Sequence, residues 1–180
     1  MLFYKLLAIL LEYPTLETCA HYGELRETVD ELALDETEKQ VLRDFIDWCS
    51  QQRPTQLQAK YVETFDLTPD HCLYLTHHLY EEQDAERGAT LATLKEFFRH
   101  QGFAVEGGEL PDYLPLILEF VSQSDQAENL DVAKSLLEQS APAMSEVATR
   151  MVAHDIAWAP LLKLLEQNLD PQRHATLAAA

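Results

Sequence analysis

Apolar residues recur along this chain at the three- and four-residue spacing that places them on one face of an α-helix. The stretch from Leu2 to Glu12 is apolar almost all round, which predicts a first helix covered on most sides. Thr15 is a good cap residue and predicts a second helix that reaches about Leu32. Asp35-Glu-Thr-Glu38 has the pattern of a capping box and predicts a helix that stops before Pro54.

The remainder of the chain continues the helical pattern. Thr55-Gln-Leu-Gln58 predicts another capped helix start, and Pro69 after Thr68 predicts the first position of the next helix. Further helices are predicted over Asp84–Gln101, Leu110–Phe120, Glu128–Gln139, Pro142–His154 and Ala159–Leu169. No alternating run is long enough for a strand, so the predicted fold class is all-α, a single irregular helical bundle of about eight to ten helices. We expect this domain to span residues 1–170 and the alanine-rich tail, 171–180, to fray.

Charge narrows the possible partners. The chain carries 31 acidic and 13 basic residues, a net charge of −18. Such a surface repels nucleic acid and anionic membranes and attracts a cationic partner, although solubility alone explains the charge equally well. The apolar N-terminal run is far shorter than the ~20 residues that span a bilayer. Three cysteines without a CxxC pair suit a reducing compartment. We therefore expect a cytoplasmic protein with no nucleic-acid partner and no direct membrane insertion.

Histidines are the first candidates for chemistry. On a helix, His71 and His78 would lie ~10 Å apart, too far to share one ion. His77 and His78 are neighbours that point in different directions, so the one-turn spacing of a zinc helix is absent. A metal-dependent hydrolase that uses these three histidines stays as an alternative. The sequence has no nucleophile turn and no phosphate-binding loop, so we predict no catalytic residue, no metal site and no stably bound cofactor.

Two stretches combine carboxylates with aromatic and leucine side chains. The first is Tyr61–Tyr80, with an acidic corner at Asp66–His71, and the second is Glu109–Phe120. An apolar groove with a carboxylate rim suits a basic amphipathic helix or an extended peptide. The predicted peptide-binding residues are Glu63, Asp66, Asp70, His71, Tyr74, Leu110, Asp112, Tyr113 and Glu119. The competing interpretation, that the apolar members such as Phe65 are simply core, stays open.

The same stretches resemble a known family. Tyr61-Val-Glu-Thr-Phe-Asp-Leu-Thr-Pro-Asp-His71, Arg87-Gly88 and Leu110-Pro-Asp-Tyr-Leu-Pro-Leu-Ile-Leu-Glu-Phe120 look like the NarJ family, and Leu10-Leu-Glu-Tyr-Pro14 is similar to its opening. These proteins are assembly chaperones of respiratory nitrate reductase, within the wider TorD/DmsD group. The family pattern carries onto the following residues: Asp66, Pro69, Asp70, His71, Leu110, Pro111, Asp112 and Tyr113.

The resemblance implies an all-helical cytoplasmic chaperone without catalytic activity. Its expected partner is the catalytic (alpha) subunit of nitrate reductase, bound through an N-terminal segment that resembles a twin-arginine signal. The chaperone would hold the apoenzyme and permit insertion of the molybdenum cofactor, which belongs to the client, before membrane assembly. A monomer is expected. A generic helical adaptor is the remaining alternative.

Overall fold

The computed structural model describes residues 1–80, 84–103, 108–123 and 127–170. Within these ranges the chain forms nine α-helices and no strand, so the prediction of an all-α bundle is confirmed. The predicted frayed tail, 171–180, lies outside the described residues. The helices are α1 Leu2–Leu11, α2 Leu16–Ala20, α3 Tyr22–Thr28, α4 Glu36–Ser50, α5 Pro54–Tyr61, α6 Ala85–His100, α7 Leu114–Ser122, α8 Ala127–Ala153 and α9 Ala159–Gln167.

The core forms around α1, which is strongly apolar, as is α7. Leu6, Leu7 and Leu11 of α1 are buried, and α1 packs along α7 through residues such as Ile117 and Leu118. Each fully buried leucine contributes about 1.5–3 kcal/mol of transfer free energy. On the other side of the core, α8 packs on α9 and α3 packs on α4. No helix in the described ranges is both long and apolar enough to cross a membrane.

Local capping chemistry is as predicted at two helix starts. The Thr15 hydroxyl accepts from the Thr18 N–H at 3.0 Å. At α4, Asp35 Oδ1 accepts from the Glu38 N–H at 2.9 Å, and Glu38 Oε2 accepts from the Asp35 N–H at 3.0 Å, a complete capping box. The predicted continuous helix to Leu32 is wrong, because His21 interrupts it. Its ring Nδ1 bonds the Glu17 carbonyl at 2.7 Å, while its own N–H donates to Thr18 instead.

Two helix boundaries also differ from the predictions. Helix α5 begins at Pro54 and not after Thr55, because a proline at the first position needs no N–H partner. The two helices predicted on either side of Pro142 are one helix, α8. An internal proline costs about 3 kcal/mol. Complete burial of the neighbouring Ala143 and Met144 against the core offsets that cost.

The helix predicted to begin at Pro69 does not form. Two short 3-10 turns, Pro69–His71 and Leu75–His78, flank an extended stretch. That stretch pairs with the backbone before α7: the Leu75 N–H donates to the Asp112 carbonyl at 3.1 Å, and the Leu114 N–H donates to the Leu73 carbonyl at 2.9 Å. These bonds to a distant segment replace the helical ones, and α7 begins at Leu114 and not at Leu110.

Candidate peptide-binding site

The acidic corner begins at a π-helical stretch, Val62–Asp66, that continues α5. The Leu67 N–H donates to the Val62 carbonyl at 3.0 Å, the wide spacing of a π-turn. The stretch keeps Tyr61 and Phe65 buried with their rings 4.7 Å apart, while Asp66 is exposed. Such turns are frequent at functional sites.

Tyrosine side chains form a wall beside Asp66. Tyr74 and Tyr113 face each other across an isolated β-bridge, with ring centroids 5.2 Å apart. The Tyr61 and Tyr113 hydroxyls are hydrogen-bonded at 3.0 Å, and the Tyr61 hydroxyl also donates to the Leu11 carbonyl at 3.0 Å. The Tyr74 hydroxyl donates to Glu109 Oε2 at 2.7 Å. The wall is therefore fixed by hydrogen bonds from three separate segments.

The wall borders two cavities, which together we term the acidic groove. The tyrosine pocket, of about 240 Å³, is lined by Tyr13, Tyr61, Phe65, Asp66, Leu73, Tyr74, Glu109 and Tyr113. The α1–α7 groove, of about 430 Å³, is lined by Lys5, Ala8, Ile9, Glu12, Gly102, Phe103, Glu109, Tyr113, Pro115, Leu116, Glu119 and Gln123. Glu109 and Tyr113 line both cavities, so the two adjoin at these residues. Leu67 and Leu110, next in sequence to lining residues, are 73 % and 40 % exposed.

Four carboxylates line the acidic groove: Glu12, Asp66, Glu109 and Glu119. Among the described lining residues Lys5 is the single lysine or arginine, and its Nζ lies 2.6 Å from Glu119 Oε1. Burial raises the pKa of Glu12, and the charges of Glu119 and Glu109 raise it further. Burial and the charge of Glu109 likewise raise the pKa of Asp66. The negative charge in the groove is thus under-compensated, and a cationic ligand would relieve the repulsion.

The buried carboxylate of Asp112 links the two segments that carry Tyr74 and Tyr113 by hydrogen bonds. Its carboxylate is buried, 1 % exposed, and Oδ2 accepts from the Thr76 N–H at 2.9 Å and from the Thr76 hydroxyl at 2.6 Å. Arg87 Nε of α6 donates to the same hydroxyl at 3.1 Å. These bonds hold the segments that carry Tyr74 and Tyr113 together. In this conformation the Asp112 side chain serves the fold, since an incoming peptide has no access to it.

The other half of the acidic corner faces α8. His71 is 4 % exposed, and its Nε2 lies 3.0 Å from Nδ1 of His154. Burial, followed by the charge of His154, lowers the pKa of His71. Asp70 is exposed and pairs with Arg150 at 3.4 Å. Glu63 and His71 line a separate cavity of about 450 Å³ beside the indole of Trp158.

The comparisons with known proteins fit this architecture. The family model described as "Nitrate reductase delta subunit" matches residues 30–163, which include the corner, the tyrosine wall and α7. The chain belongs to the nitrate reductase delta subunit family. The resemblance to NarJ-type chaperones noted in the sequence is thereby confirmed.

Relatives of this family member include chaperones from two bacteria. The chain is 32 % identical over 167 residues to the probable nitrate reductase molybdenum cofactor assembly chaperone NarJ of Bacillus subtilis (strain 168), covering 93 % of this chain and 88 % of that protein. It is 29 % identical over 157 residues to NarJ of Escherichia coli (strain K12), covering 87 % and 64 %. The probable assembly chaperone NarW of the same strain is 30 % identical over 163 residues, covering 91 % and 66 %.

In this delta-family chain the predicted site residues fall into three groups. Asp66, Tyr74, Tyr113 and Glu119 line the acidic groove, and Leu110 lies at its edge. Glu63, Asp70 and His71 lie on the α8 side of the corner, and Asp112 is buried with its carboxylate bonded to Thr76. Residue chemistry and the family pattern had grouped all of them as one predicted surface. Which of them contact a peptide stays a prediction.

Sequence reasoning missed the groove residues that α1 contributes. Glu12 and Tyr13 follow α1, and Ile9 lies within it, about 100 residues before the α7 side of the groove. The available signal was the family-like opening Leu10-Leu-Glu-Tyr-Pro14, which contains two of them. That stretch was interpreted only as the end of a buried first helix.

The histidines around residue 71 have separate surroundings. The described residues contain no group of three or more His, Cys, Asp or Glu side chains placed to hold a metal ion. His71 contacts His154, whereas His78 Nε2 bonds the Cys72 carbonyl at 2.8 Å. His71 and His78 therefore have different partners.

Proposed function

We propose that this chain is a system-specific chaperone that binds the N-terminal segment of the apo catalytic subunit of respiratory nitrate reductase. Binding would permit insertion of the molybdenum cofactor and later membrane assembly. The observation that carries the proposal is the acidic groove, which is lined by apolar and aromatic side chains together with four carboxylates and one paired lysine. Membership of the delta family and relatives named as assembly chaperones support the choice of client.

The side chains that line the acidic groove indicate which kind of client segment it would bind. Basic side chains of the client segment would approach Asp66 at one end and Glu12 and Glu109 at the centre, where the charges lack a basic partner among the described lining residues. Apolar side chains would pack on Ile9 and Leu116. The α1–α7 groove of about 430 Å³ lies within the range of about 300–1,000 Å³ typical of ligand sites. An amphipathic cationic segment matches both features.

In this proposal the chain performs no chemistry and holds no cofactor of its own. Its relatives described above are named as molybdenum cofactor assembly chaperones. It would act as a monomer in the cytoplasm, where it meets the client before membrane docking. The cofactor enters the client while the chaperone occupies the client's N-terminus.

Titration calorimetry with the client's N-terminal peptide tests the site. We expect binding that weakens when ionic strength rises from about 0.01 to about 0.15 M, since the Debye length falls from about 30 to about 8 Å. Glu109→Gln should weaken binding about fivefold, the effect of about 1 kcal/mol. Glu63→Gln, outside the groove, is the matched control and should bind as the unchanged protein does. Absence of binding at low salt would overturn the proposal.

The chaperone role itself needs the whole client. Tagged chain should recover the apo catalytic subunit from cells in preference to the mature, cofactor-loaded form. Equal recovery of both forms would favour a generic adaptor.

A further inference from the structure

Lys5 is the one charged residue of the otherwise apolar helix α1. It lines the α1–α7 groove on the same helix face as Ile9, which follows at four residues, and together with Glu12, which follows the helix. Its ammonium lies 2.6 Å from Glu119 Oε1, and the two side chains are 46 % and 40 % exposed. One of the four groove carboxylates, Glu119, is therefore already paired with a cation of the chain itself.

This ion pair is not needed to join α1 to α7. The two helices pack against each other, and Leu6, Leu10, Ile117 and Leu118 on them are buried. An ion pair between partly exposed side chains adds little to such an interface. Lys5 also counteracts the rise in the pKa of Glu12, so its charge acts across the groove and not on Glu119 alone.

We infer that Lys5 is an internal placeholder for a cationic side chain of the client segment. The ligand's basic group must displace Lys5 from Glu119 before it can pair there. Lys5 thereby lowers the affinity for every cationic segment, and the groove selects segments that carry a basic residue at the Glu119 end. This inference rests on the proposed function, since it concerns the same groove and the same class of ligand.

Lys5→Met tests the inference, with Lys5→Gln as a second variant should the apolar one aggregate. The probe is the client's N-terminal peptide in titration calorimetry. We expect Lys5→Met to bind about threefold to fivefold more tightly, the range of a partly exposed ion pair. Lys163→Met is the matched control, because Lys163 pairs with Glu166 at 2.8 Å in α9, outside the groove. It removes the same charge and should change the affinity less than twofold.

Glu119→Gln in both backgrounds separates displacement from a general charge effect. If the ligand takes the place of Lys5, the loss caused by Glu119→Gln is about threefold to fivefold larger in the Lys5→Met background than in the unchanged protein. Equal losses in the two backgrounds, or equal gains from Lys5→Met and Lys163→Met, would overturn the inference and leave the proposed function intact. If the unchanged protein does not bind the peptide, both fail together.

Discussion

Asp66 and Asp70 are four residues apart in the acidic corner, yet the structure predicts different roles for them. Asp66 lines the tyrosine pocket and forms no ion pair within the described part of the chain, and burial and Glu109 raise its pKa. Asp70 lies on the α8 side and pairs with Arg150. We therefore expect Asp66→Asn to weaken peptide binding, and Asp70→Asn, the matched control, to leave it unchanged.

The size of the effect follows from the exposed setting of Asp66. A cation 4 Å from a carboxylate gains about 4 kcal/mol at an effective dielectric constant of about 20. Desolvation and side-chain ordering reduce the net value to about 1–2 kcal/mol for a charge-assisted contact near the surface. Asp66→Asn should therefore raise the dissociation constant about fivefold to thirtyfold. Its unfolding free energy should stay level or rise slightly, because repulsion from Glu109 is removed.

Two measurements decide the point. Titration calorimetry with the client's N-terminal peptide gives the affinities, and urea unfolding of the same variants gives their stabilities. Asp70→Asn should bind within about twofold and lose less than about 1 kcal/mol of stability, as for other exposed ion pairs. Equal weakening by both substitutions, or an Asp66→Asn variant that binds normally, would refute the assignment of the groove.

Three further predictions concern stability. The pKa of His71 lies below its ordinary value of 6.5 because the ring is buried beside His154. The neutral ring therefore stabilises the fold fully above about pH 6.5, and that contribution is lost as the pH falls through the lowered pKa. Urea unfolding from pH 7.5 to 5 should show this loss, and His71→Gln should flatten it; an equally steep fall in the variant would contradict the reasoning. Thr76→Val leaves the Asp112 carboxylate with one hydrogen-bond partner fewer and should lower the free energy of unfolding by about 1–3 kcal/mol. A change near zero in urea unfolding would show that these hydrogen bonds do not stabilise the fold. Trp158→Ala should lower the free energy of unfolding, measured by thermal denaturation, by about 3–5 kcal/mol. The reason is that the buried indole packs at the centre of an aromatic cluster and donates to the Leu10 carbonyl at 3.3 Å. A loss below about 1 kcal/mol would mean that the cluster repacks.

Helix existence was predictable because it depends on neighbours in sequence. The capping box at Asp35 and Glu38 formed as its residue types predict, and so did the cap at Thr15. The boundaries were less predictable where side chains compete with the backbone. The His21 ring bonds the Glu17 carbonyl, and the predicted second helix is interrupted there. Helix α8 continues through Pro142, where the sequence predicted a helix end.

The candidate site was half predictable. Asp66, Tyr74, Tyr113 and Glu119 were chosen for their chemistry, and they line the two adjoining cavities of the acidic groove. His71 was chosen on the same grounds and is buried against α8. The helix predicted to begin at Pro69, on which His71 and Tyr74 were expected to lie, does not form. Backbone pairing with the segment around Asp112 replaced that helix, and pairing with a distant segment leaves no periodic signal.

By itself the sequence determined the all-α class, most helices, the acidic charge and the family, because periodicity, caps and motifs are properties of short stretches. Only the tertiary structure decided which carboxylates share a site. It brought Lys5 of α1 and Glu12, which follows that helix, against Glu119 of α7, and it placed Asp66 and Asp70 on opposite sides of the corner. The physical reason is that a binding groove consists of contacts between segments far apart in the chain. Their register is set by the packing of whole helices and not by residue spacing within any one of them.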